Sequence, residues 1–355
     1  MASERRLDSI DGLRGLACLW VVFHHAFDGE PALPAPLRAL AQTGWLGVSL
    51  FLVLSGFCLY YPLVRRQPVS GIQLDLRTFF LRRARRILPP YYLSLLLAVA
   101  FLVRGQLRAG HTIGDILSQL RWDVPLHLLM LHNLTATTFA SLSSVCWSLA
   151  LEWQLYLAFP LLVVGSARRG FRFVLGTTLV LSLVWQGIAA ARLGVSREWL
   201  PELAVAYSAL PGRVFEFVCG MVAATFVARP VPKQRTTALL VGGACLIPAL
   251  VIVLFAYRLG PLCDPLWGTV FACILITLSG ARWQSGPSRA LVYLGVRSYS
   301  IYLVHLLAML ALPLPATVQS HPLLVGSIRI IFSLLIGLGF YKIAEKPFHR
   351  DSRPV

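Results

Sequence analysis

The chain has 355 residues, of which 57% are apolar and only 13% charged, with a net charge of +17 and a mean hydropathy of +0.71. Soluble globular domains carry about a quarter charged residues, so the composition excludes one. The positive balance sits unevenly in the loops, which assigns it to membrane topology and not to nucleic acid.

Ten apolar stretches can each hold a helix of the length needed to cross a bilayer, at approximately 11–28, 45–64, 88–104, 145–165, 171–191, 210–228, 237–257, 265–281, 292–312 and 323–345. The expected fold is an all-α polytopic membrane protein, a bundle of about ten transmembrane helices. With the N-terminus taken as cytoplasmic, twenty Lys and Arg fall in inner loops and seven, counting Arg104, in outer ones. That asymmetry places both termini on the cytoplasmic side of the plasma membrane. The expectation is one membrane-embedded unit over 1–355 with no appended soluble domain.

The first stretch, DGLRGLACLWVVFHHAF, carries Arg14 and His25. Eleven residues bring His25 to within about 20° of the face of Arg14, roughly 16 Å along the axis, which predicts His25 near mid-membrane. Ionisable groups at that depth are expensive and mark function by default. With Arg14 and two histidines, this stretch is no removable signal peptide. His24, rotated 100° away, suits packing or a hydrogen bond. The second stretch, WLGVSLFLVLSGF, has Gly44, Gly47, Ser49 and Ser55-Gly56 for close helix approach.

Between the second and third stretches, Leu76 to Leu88 reads as a basic amphipathic helix on the inner side, ended by Pro89-Pro90. Its Arg82, Arg83, Arg85 and Arg86 have two readings: an interfacial helix holding anionic lipid, or a guanidinium cluster for a ligand phosphate. The loop 105–144 predicts a short helix from Ile113 to Trp122 after Thr112. The apolar run 125–134 is too short to span and suits a re-entrant segment or lid, with His127 and His132 interfacial.

The fourth stretch, CWSLALEWQLYLAFP, puts Ser148, Glu152 and Tyr156 on one face beside Trp147. A buried carboxylate needs a partner, so a basic residue on another helix is expected for Glu152. In the sixth, LPGRVFEFVCG, Arg213 and Glu216 are three apart, as an intrahelical pair or as pocket groups. The ninth, LGVRSYSIYLVHLL, holds Tyr302 and His305; the last carries Arg329, then Lys342 and Glu345 as interface anchors. The seven cysteines show neither a disulfide framework nor metal-ligand spacing, and no metal is expected.

Taken in order, LDSIDGLRG with Arg14 and His25, LGVSLFLVLSGF, FFLRRARRILPPYY, WSLALEWQLYLAFP, RVFEFVCGM, LGVRSYSIYLVH and the terminal EKP resemble the membrane-bound acyltransferase-3 family. The resemblance covers residues 7–347. It implies transfer of an acyl group, acetyl foremost, from acyl-CoA to a hydroxyl of a sugar, polysaccharide or glycosylated small molecule. It further implies that Arg14 and His25 are the family's essential pair, that Glu152 is its acidic site residue, and that Arg82, Arg83, Arg85 and Arg86 meet the CoA phosphates. On that reading His25 is the general base, Glu152 orients it or stabilises the imidazolium, and Trp147, Ser148, Tyr156, Arg213, Glu216, Tyr302 and His305 are candidates for the substrate pocket. The implied partners are the lipid bilayer and a carbohydrate acceptor. The alternative is a polytopic transporter or channel whose buried His, Arg and Glu serve as substrate or proton sites.

Overall fold

The computed structural model describes residues 7–67, 71–194, 201–252, 262–281 and 283–349, and is helical with no strand among them. In order the helices are α1 (Asp8–Phe27), α2 (Ala35–Gln42), α3 (Leu46–Arg66), α4 (Leu76–Arg108), α5 (Ile113–Leu128), α6 (Trp147–Leu193), α7 (Pro201–Ser208), α8 (Leu210–Ala228), α9 (Gln234–Val251), α10 (Cys263–Leu278), α11 (Gly286–Val296), α12 (Ser298–Ala311), α13 (Ala316–Gln319) and α14 (Pro322–Phe340). By length and composition six of the described helices can cross a membrane: α3, α4, α6, α8, α9 and α14 with the turns that follow it. The pair α11 and α12, bent by 81°, would make a seventh. The protein is a multi-pass membrane protein.

The described residues thus give six or seven membrane-crossing helices against the ten expected, and residues 253–257 of the seventh stretch lie outside the described residues. The fourth and fifth lie on α6, whose 47 residues break at Gly170, where φ is 79° and ψ 164°. Only glycine adopts that backbone readily, so the single helix is two arms meeting at one residue. The ninth stretch is not straight: it is the bent pair α11–α12. In α4 the helix runs through Pro89 and Pro90 instead of ending there, so basic segment and membrane segment form one 33-residue helix. The prolines free the carbonyls one turn back. The Tyr299 hydroxyl donates to the nearby Ile87 carbonyl at 2.8 Å, tying this stretch of α4 to α12.

Small residues set the closest contacts. A Cβ on Gly56 would lie 2.0 Å from the Phe217 carbonyl oxygen, and one on Gly220 1.9 Å from that of Val53, so α3 and α8 touch backbone to backbone. Gly15 and Gly295 do the same for α1 and α11. On its other side α3 meets α1, where a Cβ on Gly47 would lie 2.7 Å from the Ala17 carbonyl oxygen, so α3 sits between α1 and α8.

Beyond α4, α5 starts with a capping box between Thr112 and Asp115 and continues six residues past the expected Trp122. Hydrogen bonds from Thr112 hold the Asp115 carboxyl below its ordinary pKa. His127 and His132 are not interfacial: both are fully buried, with rings stacked 3.8 Å apart and 7° from parallel. Their neighbours Met130 and Leu142 hold left-handed backbone. At the other end of the chain α14 passes into a π turn, Tyr341–Glu345. That wider turn buries Glu345, which accepts from the Ser300 hydroxyl at 2.5 Å, while Lys342 stays exposed. Glu345 is therefore a packed group of the bundle and not an interface anchor.

Candidate active site

A cavity of about 830 Å³ opens among α1, α3, α4, α6 and α12. Three guanidiniums line it: Arg14 from α1, and Arg83 and Arg86 from α4. The four-arginine cluster is thereby divided, because Arg82 and Arg85 are exposed and do not line the cavity. The Nε atoms of Arg14 and Arg83 are buried with no hydrogen-bond partner.

Glu152 is the acidic group of this wall. Its Oε1 accepts from Ser55 Oγ at 2.8 Å and from the Tyr156 hydroxyl, and it acts electrostatically on Arg14. Among the described residues it makes no ion pair, and the expected basic partner on another helix is replaced by two hydroxyls and a nearby guanidinium. Glu345, sealed behind Ser300, is close enough to act on Arg86. Cationic donors still exceed carboxylates around the space, and an anionic ligand would complete it.

Away from the arginines the lining turns to hydroxyls and rings. Ser148 and Tyr302 share a hydrogen bond of 2.7 Å, and Tyr302 also donates to the Val145 carbonyl at 3.2 Å. Phe51 stands edge-on to Tyr302, with centroids 5.9 Å apart. Behind Tyr302 lies fully buried His305, and beyond it His25, whose ring centroid is 5.0 Å from that of His305. His25 is not part of the cavity lining. It stands in the last turn of α1, further from Arg14's level than a mid-helix position, and reaches the cavity only through His305 and Tyr302.

The hydrogen bonds assign the tautomers of this pair. His305 Nδ1 is 2.7 Å from the Tyr302 carbonyl oxygen, an acceptor only, so Nδ1 carries the proton and Nε2 is a lone pair. His25 Nδ1 lies 3.0 Å from the Val21 carbonyl and 3.2 Å from His305 Nε2, two acceptors, so it too is protonated. His25 Nε2 is then left with the free lone pair, as a base requires. The partner that orients His25 is therefore His305. The expected Glu152–His25 pairing does not form, because Glu152 is engaged with Ser55 and Tyr156.

The other candidates separate cleanly. Ser148, Tyr156 and Tyr302 line the cavity. Trp147 instead stacks on Phe139 at 5.6 Å. Arg213 and Glu216 lie outside the lining, in a sealed network: Arg213 Nε donates to Glu216 at 2.6 Å, Nη1 pairs with Asp264 at 3.2 Å, and Nη2 donates to Ser49 at 3.0 Å. Their charges are consumed by one another, so they leave nothing for a substrate. His24 hydrogen-bonds the Ala41 carbonyl at 2.7 Å. Sequence reasoning missed Ser55, which reads as a small packing residue, and Glu345, whose inward turn depends on a π turn that has no sequence signature.

With this geometry in view, residues 7–342 match a family described as an acyltransferase domain. The chain is 28% identical to a putative peptidoglycan O-acetyltransferase of Bacillus subtilis, over 97% of this chain and 55% of that protein. It is 28% identical to a peptidoglycan O-acetyltransferase of Listeria monocytogenes, over 85% of this chain and 49% of that protein. The acyltransferase MdmB of Streptomyces mycarofaciens is 30% identical over 84% of this chain and 78% of its own length. The chain thus spans about half the length of the two peptidoglycan relatives. No solved structure matches.

Proposed function

The chain belongs to this acyltransferase domain family, and on that premise we propose that it is a membrane-bound O-acyltransferase moving a short acyl group, acetyl, from acyl-CoA to a hydroxyl of a carbohydrate acceptor. The observation that carries the reading is the cavity. Its arginine end offers unpaired guanidinium donors to phosphate oxygens, and Tyr302 at its far end packs on His305, which with His25 forms a pair outside the lining that keeps one free lone pair.

Arg14, Arg83 and Arg86 take the phosphates of the coenzyme bidentately, with the thioester arm directed past Ser148 toward Tyr302. The acceptor hydroxyl attacks the thioester carbonyl carbon while His25 Nε2 takes its proton. Positive charge arising on His25 is relieved through its Nδ1–H, which His305 Nε2 accepts. The tetrahedral intermediate then expels the coenzyme thiolate, which recovers the proton from His25. Glu152 acts at the arginine end, holding Ser55 and Tyr156 in place and balancing Arg14.

The charge asymmetry of the loops supports a plasma-membrane orientation with both termini cytoplasmic, the arginine end facing cytosolic acyl-CoA and the His25 end the opposite side. The relatives that act on peptidoglycan support a surface polysaccharide as acceptor class. In proteoliposomes supplied with radiolabelled acetyl-CoA and a sugar acceptor, His25→Ala should lower transfer by roughly 10²–10⁴-fold with membrane insertion intact. Retained transfer in that variant would refute the base assignment.

A further inference from the structure

Arg329 lies at the level of the histidine pair and has no role in the mechanism above. On α14 it shares a face with Gly326, Ser333 and Gly337, within about 80° of arc. That face is packed: a Cβ on Gly326 would lie 2.0 Å from the Phe27 ring, one on Gly337 2.7 Å from Ile301, and Ser333 Oγ donates to the His305 carbonyl at 3.1 Å. The opposite face, with Ile331 59% and Leu335 62% exposed, is the lipid-facing one. Arg329 is therefore directed into the seam between α14 and α1, not out to the bilayer.

Among the described residues its one hydrogen-bond partner is weak. Nη1 reaches the Ala26 carbonyl at 3.4 Å, in the residue that follows His25, and Nε is buried with no partner. No carboxylate among the described residues pairs with it; the ion pairs recorded there belong to Arg213. A guanidinium this poorly compensated in an apolar seam is costly unless a ligand supplies the counter-charge. The coenzyme phosphates are already met at the other end of the cavity, near Arg14. A second anion beside His25 is a group of the other substrate or a lipid headgroup, and its place next to the base favours the substrate.

We propose that Arg329 is the anion-binding residue of the acceptor subsite, so that the acceptor carries a carboxylate or phosphate close to the hydroxyl that is acylated. The inference rests on the acyl-transfer reading but is tested by binding, so the two can fail separately.

Full-length protein in nanodiscs is titrated with methyl glucuronide, glucose 1-phosphate and neutral methyl glucoside, following tryptophan fluorescence. The expected result is about tenfold tighter binding of an anionic sugar than of the glucoside, the worth of one charge-assisted hydrogen-bonded contact. Arg329→Gln should erase that preference, and Arg329→Lys should keep part of it. Loss of transfer in His25→Ala tests the base alone. Nanodiscs with and without phosphatidylglycerol separate the sources of the anion. No preference in the wild type would overturn the proposal. So would a wild-type preference in Arg329→Gln accompanied by loss of bound phosphatidylglycerol, because Arg329 would then hold a lipid headgroup.

Discussion

Two buried arginine clusters lie on either side of α3, and they are built on opposite plans. Around Arg213, two carboxylates and one hydroxyl take up the guanidinium donors, and the Gln186 amide donates to Asp264 at 2.8 Å, leaving Gln186 Oε1 as an unused acceptor. Around Arg14, three guanidiniums face about 830 Å³ of space, and two of them keep a buried nitrogen unpaired. Charge buried in a membrane bundle is compensated internally or by a ligand. The Arg213 cluster takes the first course and the Arg14 cluster the second. Burial alone does not distinguish a structural arginine from a functional one; the count of unused donors does.

The largest effect should come from breaking the closed cluster. Arg213→Leu leaves Glu216 and Asp264 facing each other without a cation, which should cost about 3–5 kcal/mol and most of the folded protein. Replacing Arg213, Glu216 and Asp264 together with leucine should restore much of the loss, since apolar groups can fill a fully paired site. Thermal melting in detergent reads both variants, and a wild-type melting temperature for Arg213→Leu would contradict the closed plan. The open cluster should respond differently. Arg14→Gln or Arg86→Gln should leave melting unchanged or raised, because like charges are relieved. Each should increase the KM for acyl-CoA by at least about tenfold, the loss of one charged hydrogen bond. A fall in stability with unchanged donor KM would make the open cluster structural too.

The sequence allowed the helices to be read because apolar length is a local property, although only six or seven of the described helices are long and apolar enough to cross a membrane. Arg14 and His25, eleven residues apart on one helix, were legible for the same reason. The pairing of His25 with His305 was not, since 280 residues separate them and only the packing of α12 on α1 brings them together. Arg82, Arg83, Arg85 and Arg86 read as one basic run. Packing of α4 puts Arg83 and Arg86 in the cavity wall and leaves Arg82 and Arg85 exposed, a division the sequence does not reveal because Arg82 and Arg86 lie only about 40° apart on the helix. Glu152 was recognised as a buried acid, yet its partners Ser55 and Tyr156 are neutral. A rule that seeks a basic residue for every buried carboxylate passes over hydroxyls.

The loop between α5 and α6 offers a third plan, a buried pair of titratable groups that is stable only when uncharged. Burial, with the neighbouring His127, pushes His132 down to a pKa of about 3, and burial lowers His127 as well. In the unfolded chain a histidine titrates near 6.5. The His132 contribution is thus fully present above pH 6.5 and is lost as pH falls from there toward about 3, because only the unfolded state takes up the proton. At pH 5 the loss should be about 2 kcal/mol. Hydrogen exchange over residues 125–146 at pH 7.5 and pH 5 would measure it, and His132→Gln should flatten the slope. Equal protection at both pH values would show that the stacked pair is not held neutral.

The smallest expected effect is the sharpest test of how α4 is divided. Arg82 and Arg85 belong to the same run as Arg83 and Arg86, one turn of helix, yet they are exposed and line no cavity. Surface charges of this kind contribute within about 0.5 kcal/mol. Arg82→Gln with Arg85→Gln should therefore change the acyl-CoA KM by less than about twofold. Arg83→Gln with Arg86→Gln, the same chemical change rotated about the helix, should raise it far more. The exposed pair should show itself elsewhere, in weaker association of the protein with anionic vesicles, since a basic helix face attracts such lipid at about 1 kcal/mol per charge. If both double variants raised the donor KM equally, the arginine run would act as a diffuse field. The cavity wall would then not be what selects the ligand.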